Sequence, residues 1–67
     1  MTNFCKVFKQ ARLEKHYTQE KIAEELDVSP RWIQYIESGK KTPGLDLFWR
    51  IIKLLSIDPT IFLDQNK

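Results

Sequence analysis

The stretch TQEKIAEELDVSPRWIQYIESG, residues 18–39, contains two short helical patterns separated by a three-residue break. Apolar residues recur at helical spacing on both sides of the break, and the small Ala23 falls on the inner face of the first pattern. Two helices that cross steeply need apolar faces that meet and a small residue where their backbones approach. The apolar positions are Ile22, Leu26, Val28, Ile33 and Ile36.

Capping residues set the limits of these two helices. Thr18 is a suitable N-cap for a helix over residues 19–26, and Ser29 is a suitable N-cap for the next, with Pro30 in its first turn. Gly39 is suited to end the second helix after Ser38. Because polar and aromatic residues fill its outer face, the pattern predicts a helix-turn-helix whose second helix is free to enter a DNA major groove.

Before this unit, the spacing predicts a helix from Phe4 to about Lys15, with Thr2 or Asn3 as its N-cap. His16 then stands where a glycine often ends a helix, so a left-handed backbone is expected there.

After the unit, Leu45, Phe48, Ile52 and Leu55 recur on one face of a fourth helix, residues 45–55. Asp58-Pro59 indicates a short fifth helix from Pro59 to about Asp64. The chain is therefore expected to be all-α.

Length and composition limit the possible classes of protein. The 67 residues allow one small domain, residues 1–67, and the net charge of +2 is weak support for a nucleic-acid partner. The single cysteine, Cys5, leaves no internal disulfide and no thiolate cluster for a metal. No signal peptide or membrane-spanning run is predicted, so we expect a cytoplasmic protein. No cofactor or small-molecule ligand is indicated by the sequence.

The chain resembles the Cro/C1-type (XRE family) helix-turn-helix domain of phage repressors and bacterial regulators. The resemblance implies a five-helix, lambda-repressor-like fold with the helix-turn-helix at helices 2 and 3. The residues that match in order and spacing are Arg12, Thr18-Gln19, Ile22-Ala23, Leu26, Val28-Ser29, Ile33, Ile36-Glu37, Gly39-Lys40, Pro43, Leu45, Leu55 and Phe62-Leu63.

The resemblance also implies roles for individual residues. It pairs Arg12 with Glu37 in an ion pair that joins the first helix to the third; the alternative is two separate solvated charges. Gln19 would meet a DNA phosphate at the start of the second helix. Lys40 and Lys41 would lie along the sugar-phosphate backbone. The alternative for all three polar side chains is simple solvation. Asp27 occupies a turn position where the family usually has glycine.

The predicted recognition helix differs from the family pattern, which often has amide or hydroxyl residues in its first turn. Pro30 offers only apolar contact, whereas Arg31 suits a bidentate contact to guanine. Arg31 has the alternatives of a phosphate contact or an intramolecular ion pair. Gln34 has the alternatives of an adenine, a phosphate or solvent. The predicted DNA-binding residues are Gln19, Ser29, Pro30, Arg31, Trp32, Gln34, Tyr35, Lys40 and Lys41.

Trp32 and Tyr35 share one helix face because they are three residues apart. Ile33 and Ile36 occupy the core face, so both aromatic side chains are expected to be largely exposed and to meet DNA or a protein partner. The alternative for Trp32 is partial burial over the neighbouring loop.

The fourth helix has more apolar residues than one core face can bury. A helix that is apolar around this much of its circumference needs a second partner, and a second copy of the chain is the simplest one. We expect a homodimer; the alternative is a small core that wraps around Trp49. The predicted interface residues are Leu47, Trp49, Ile51, Leu54 and Ile61.

Together these features predict a sequence-specific, repressor-like transcriptional regulator that binds double-stranded DNA as a homodimer and acts without a ligand-sensing domain. The alternative is a protein-interaction module, such as an antitoxin or an adaptor, with the same fold. An enzyme is not expected, because His16 is the only histidine and no nucleophile–base pair or metal cluster is evident.

Overall fold

The computed structural model describes residues 3–62, which form four α-helices and a final 3₁₀ turn. The helices are α1 (Phe4–Glu14), α2 (Gln19–Leu26), α3 (Pro30–Ser38) and α4 (Leu45–Leu55). The described part of the chain contains no strand, and the prediction of an all-α fold is confirmed. The predicted fifth helix is instead one 3₁₀ turn, Pro59–Phe62, and its predicted end at residues 63 and 64 lies outside the described residues.

Side-chain caps begin the first three helices where the sequence predicts them. Asn3 Oδ1 accepts a hydrogen bond from the Cys5 backbone N–H at 3.0 Å. Thr18 and Ser29 accept in the same way from residues 21 and 32, at 3.0 and 3.1 Å. Because the first backbone N–H groups of a helix have no intrahelical partner, each cap contributes about 1 kcal/mol.

Left-handed residues follow the C-terminal ends of the helices. His16 and Asp27 have φ angles of 63° and 59°, as their positions predict, and Gly39 has 81°. Ser56, which carries no such prediction, ends α4 at 54°. Asp is among the non-glycine residues that tolerate this region best. Asp27 can therefore form the turn at which the resembled family usually has glycine.

The core is formed where all four helices meet. Phe8 of α1, Ile22 of α2, Ile33 and Ile36 of α3 and Ile51 of α4 are fully buried. Helix α3 packs against both α1 and α2, and α2 also contacts α4. The core face predicted for the helix-turn-helix is therefore confirmed.

Two expectations for α4 are wrong. Ile51, expected at a dimer interface, is 0% exposed, and Leu45, expected on the core face, is 74% exposed. The core face of α4 is formed by Ile51, Ile52 and Leu55, which is a valid helical stripe displaced around the helix from the predicted one. Periodicity permits both stripes in a helix with so many apolar residues, and the packing of the whole fold selects between them.

An aromatic cluster attaches α1 to the C-terminal part of the fold. The Phe4 ring centroid lies 5.5 Å from that of Phe48 and 5.6 Å from that of Phe62. The 3₁₀ turn that carries Phe62 is stabilised at its start by Asp58, whose carboxylate accepts from the Thr60 hydroxyl and backbone N–H. The hydrogen bond from the Thr60 hydroxyl is the main cause of a lowered pKa of Asp58, and the bond from the Thr60 backbone N–H lowers this pKa further.

An ion pair between Arg12 and Glu37 joins α1 to α3 inside the protein. The distance from Arg12 Nε to Glu37 Oε2 is 2.5 Å, and the side chains are only 8% and 7% exposed. Arg12 Nη1 also donates to the Tyr17 carbonyl at 2.7 Å. The guanidinium thus fixes the end of the α1–α2 connection as well as the C-terminal part of α3.

Replacement of Arg12 by methionine tests this pair. Arg12→Met keeps much of the aliphatic volume but leaves the Glu37 carboxylate buried without a counter-charge, which should cost about 3–5 kcal/mol. For a domain of this size we expect the melting temperature, measured by circular dichroism, to fall by at least about 10 °C.

Lys21→Met is the matched control, because Lys21 pairs with Glu24 and Glu25 at an exposed site and is itself 55% exposed. Its effect should stay below about 1 kcal/mol. Equal, small decreases for the two variants would contradict a structural role for the buried pair.

Candidate nucleic-acid interface

Helix α3 presents one face to solvent while the opposite face is held in the core. Ile33 and Ile36 are fully buried, whereas Arg31 and Gln34 are exposed. Pro30 is also exposed in the first turn, after the capping Ser29. The outer face of α3 is therefore accessible along its whole length.

Arg31 is the exposed cation of this face. Within residues 3–62 its guanidinium forms no ion pair and no hydrogen bond. The intramolecular ion pair that was one alternative for Arg31 is thus absent from the described part of the chain. Its five N–H donors remain available for a carboxylate, a phosphate or a base edge.

The two aromatic residues of α3 are half-buried, so the expectation that they are largely exposed is wrong. Trp32 packs against the hydrophobic core, as its alternative interpretation has it. Since Trp32 precedes Ile33 by one residue, it is rotated about 100° from Ile33 and lies at the edge of the core face. The aromatic surface that these residues offer to an external partner is correspondingly reduced.

A basic loop continues from the end of α3. The backbone N–H groups of Lys40 and Lys41 both donate to the Tyr35 carbonyl, at 2.9 and 3.3 Å, after the left-handed Gly39. Both lysine side chains are exposed, and Lys41 Nζ lies 6.0 Å from the centroid of the Tyr35 ring. This distance is at the limit of a cation–π contact. The loop therefore holds two cations at the C-terminal end of α3.

Gln19 connects the buried ion pair to the surface of α3. Its Nε2 donates to Glu37 Oε1 at 3.1 Å, and its Oε1 accepts from Gln34 Nε2 at 3.5 Å. The side-chain amide, predicted to reach a phosphate, is thus engaged within the protein, whereas the backbone N–H groups at the start of α2 stay free of intrahelical partners. Sequence reasoning missed this network, because no local pattern relates residues 18 positions apart.

Two other basic side chains form hydrogen bonds with backbone or hydroxyl oxygens. Arg50 Nη2 donates to the Leu26 carbonyl at the end of α2 (3.2 Å), and Lys15 Nζ lies 3.4 Å from Ser56 Oγ. Arg50 therefore stabilises the C-terminal end of a helix and is less available to a phosphate. Between residues 3 and 62 no cluster of His, Cys, Asp and Glu could hold a metal. Nor is any helix of that part of the chain long and apolar enough to cross a bilayer.

Comparison with known proteins agrees with this geometry. A family model described as helix-turn-helix matches residues 8–62, which include all four α-helices in whole or in part. The chain is 34% identical over 60 residues to the uncharacterized HTH-type transcriptional regulator YqaF of Bacillus subtilis (strain 168), covering 90% of this chain and 79% of the relative. No solved structure matches the chain significantly. The chain therefore belongs to the Cro/C1-type (XRE) helix-turn-helix family.

Proposed function

We propose that this protein is a sequence-specific, repressor-like transcriptional regulator that inserts α3 into the major groove of double-stranded DNA. The observation that carries the proposal is the two-sided construction of α3. Its inner face is fixed by the core and by the Arg12–Glu37 pair, while its outer face carries exposed Arg31 and Gln34 and continues into a lysine pair. A rigidly presented polar helix with cations beside it suits base readout combined with phosphate contact.

Within this proposal some exposed residues of α3 would contact bases, whereas residues of the basic loop and of α2 would contact phosphates. Arg31 fits the O6 and N7 acceptors of guanine, and Pro30 offers apolar contact to a thymine methyl. Lys40 and Lys41, with the backbone N–H groups that begin at Gln19 in α2, would contact phosphates. Ser29, Trp32 and Tyr35 complete the proposed surface, Trp32 only through the part of its ring that the core leaves uncovered.

Similarity to a relative supports the same function. The printed name of the Bacillus subtilis protein describes an HTH-type transcriptional regulator, and the alignment spans 90% of this chain. We extend that role to this chain as a proposal. A regulator that binds bacterial or phage DNA would act in the cytoplasm, where that DNA lies.

Exposed apolar residues of α4 support assembly into a homodimer. Trp49 is 44% exposed and Leu45, four residues earlier on the same stripe, is 74% exposed. Leu47, Leu54 and Ile61 are half-buried and lie outside this stripe, and Leu45 replaces the buried Ile51 among the interface residues that we propose. In such a dimer the two α3 helices would be about 34–36 Å apart, matching successive major grooves on one side of the duplex.

The alternative of a protein-interaction module has support from the same stripe, since Leu45 and Trp49 would also suit a different protein partner. The packing of Trp32 against the core removes part of the second surface that this alternative uses. Oligonucleotide selection separates the two functions: a DNA-binding regulator enriches one sequence, whereas an interaction module enriches none.

We expect selection from random duplexes to yield a palindromic operator. Binding to it should weaken steeply as salt rises, because each phosphate contact releases a counter-ion. Fluorescence anisotropy at several salt concentrations measures this dependence. Selection without enrichment, or affinity that does not change with salt, would contradict the proposed function.

Arg31 can be tested by two substitutions that separate base readout from phosphate contact. Arg31→Ala should reduce operator affinity by about 1–3 kcal/mol, measured by anisotropy, and leave the melting temperature nearly unchanged because the side chain is exposed. Arg31→Lys keeps the charge but lacks the rigid fork, so it should lose part of the preference for guanine and keep most of any phosphate contact. Full retention of sequence preference in the alanine variant would show that Arg31 contacts only phosphate.

Trp49→Lys tests the dimer, because a charge within the proposed apolar interface leaves an ammonium without a partner in the assembled state. We expect sedimentation equilibrium at tens of micromolar to show a dimer for the natural chain and a monomer for this variant. Leu13→Lys is the matched control: Leu13 is another exposed large apolar residue, 53% accessible, but lies on α1. A natural chain that sediments as a monomer would refute the dimer.

A further inference from the structure

We propose that Glu37, acting through Gln19, orients the amide of Gln34 so that its carbonyl oxygen faces the DNA and selects adenine. This inference rests on the proposed function and specifies a base for one residue of that site. Gln34 would be the reader, and Gln19 a positioning residue that touches no base.

The network is a directional chain of side chains from the protein interior to its surface. Arg12 donates to Glu37, whose Oε1 also accepts from Gln19 Nε2 at 3.1 Å. Gln19 Oε1 then accepts from Gln34 Nε2 at 3.5 Å, the longest of these links. Glu37 and Arg12 are more than nine-tenths buried by side chain, Gln19 is half-buried and Gln34 is exposed.

The carboxylate of Glu37 determines the direction of every later hydrogen bond. An ionised carboxylate only accepts hydrogen bonds, so the Gln19 group beside it must be the NH₂ group. Rotation of the Gln19 amide by 180° would bring its carbonyl oxygen to about the same place and set two acceptors against each other. With Nε2 directed to Glu37, Gln19 Oε1 is directed to Gln34, which must therefore donate.

One end of the Gln34 amide is thereby committed to the protein. Its Nε2 gives one hydrogen to Gln19, which leaves Oε1 and the second Nε2 hydrogen for an external partner. In the major groove adenine presents an N6 amino donor beside the N7 acceptor, which matches this outward pair. Cytosine offers only the N4 donor, whereas guanine and thymine place acceptors there and leave Gln34 Oε1 without a partner. Adenine is therefore the preferred base.

Oligonucleotide selection on a set of variants tests the relay. Gln34→Ala should remove an adenine preference of roughly 10-fold at one position of each half-site and leave the other positions unchanged. Gln19→Met keeps the side-chain length without the amide, and it should relax the same position. The double variant should show no further loss, because both substitutions interrupt one chain.

Gln34→Glu provides a second test at the same exposed residue. It places a carboxylate oxygen against Gln19 Oε1, so adenine preference should again be lost although the shape is retained. Gln10→Ala is the matched control, since Gln10 is an exposed glutamine of α1 with a 3.5 Å hydrogen bond to Glu14. It should preserve every base preference. Melting temperatures measured in parallel identify any variant whose fold is damaged.

The outcomes separate this inference from the proposed function. An enriched operator whose base preferences are unchanged by Gln34→Ala and Gln34→Glu would overturn the assignment of Gln34 as a reader. A preference lost in Gln34→Ala but kept in Gln19→Met would overturn the relay. Failure of the natural chain to enrich any sequence would instead refute the proposed function itself.

Discussion

The buried pair of Arg12 and Glu37 is the interaction on which the arrangement of the helices depends. Charges are costly to remove from water, and one left alone in the interior costs far more than a pair. In the described part of the chain no buried side-chain nitrogen or oxygen lacks a hydrogen-bond partner. Hydrogen bonds therefore offset the cost of removing the two charges from water. Any displacement of α3 relative to α1 separates the charges. The pair therefore acts less as a source of net stability than as a penalty on other arrangements.

The same buried pair also connects α3 to α2 and to the end of the α1–α2 connection through hydrogen bonds. Glu37 accepts from Arg12 and from Gln19, and Arg12 also holds the Tyr17 carbonyl before α2 begins. One carboxylate thus relates α1, α2 and α3. In a chain of 67 residues, where a small core supplies limited stability, such a centre fixes geometry that apolar packing alone leaves adjustable.

Features of the fold that depend on neighbouring residues were predictable from sequence. Thr18, Ser29 and Gly39 each act on backbone groups within a few positions, so they place the ends of α2 and α3. The face of α4 was not predictable, because Leu45 and Ile51 both belong to valid helical stripes and only tertiary packing decides between them. The same holds for the candidate site. Arg31 is exposed as its pattern indicates, whereas the packing of Trp32 depends on tertiary contacts.

Local charge, more than net charge, characterises the surface. Glu20, Glu24, Glu25 and Asp27 are all exposed on or just after α2, and Lys21 contacts two of them, at 3.5 and 3.7 Å. Arg31, Lys40 and Lys41 are exposed along α3 and the loop after it. A polyanion would be attracted to these three cations and repelled by the acidic residues on and after α2.

The connection between α2 and α3 also limits how this chain can vary in length. Only residues 27–29 separate the two helices, and the first of them already occupies a left-handed conformation. Removal or insertion of one residue there would disturb the left-handed turn at Asp27 or the N-cap at Ser29, which together join the two helices. Substitutions on the exposed outer face of α3 leave this turn unchanged, whereas a change in its length alters the backbone that joins the two helices.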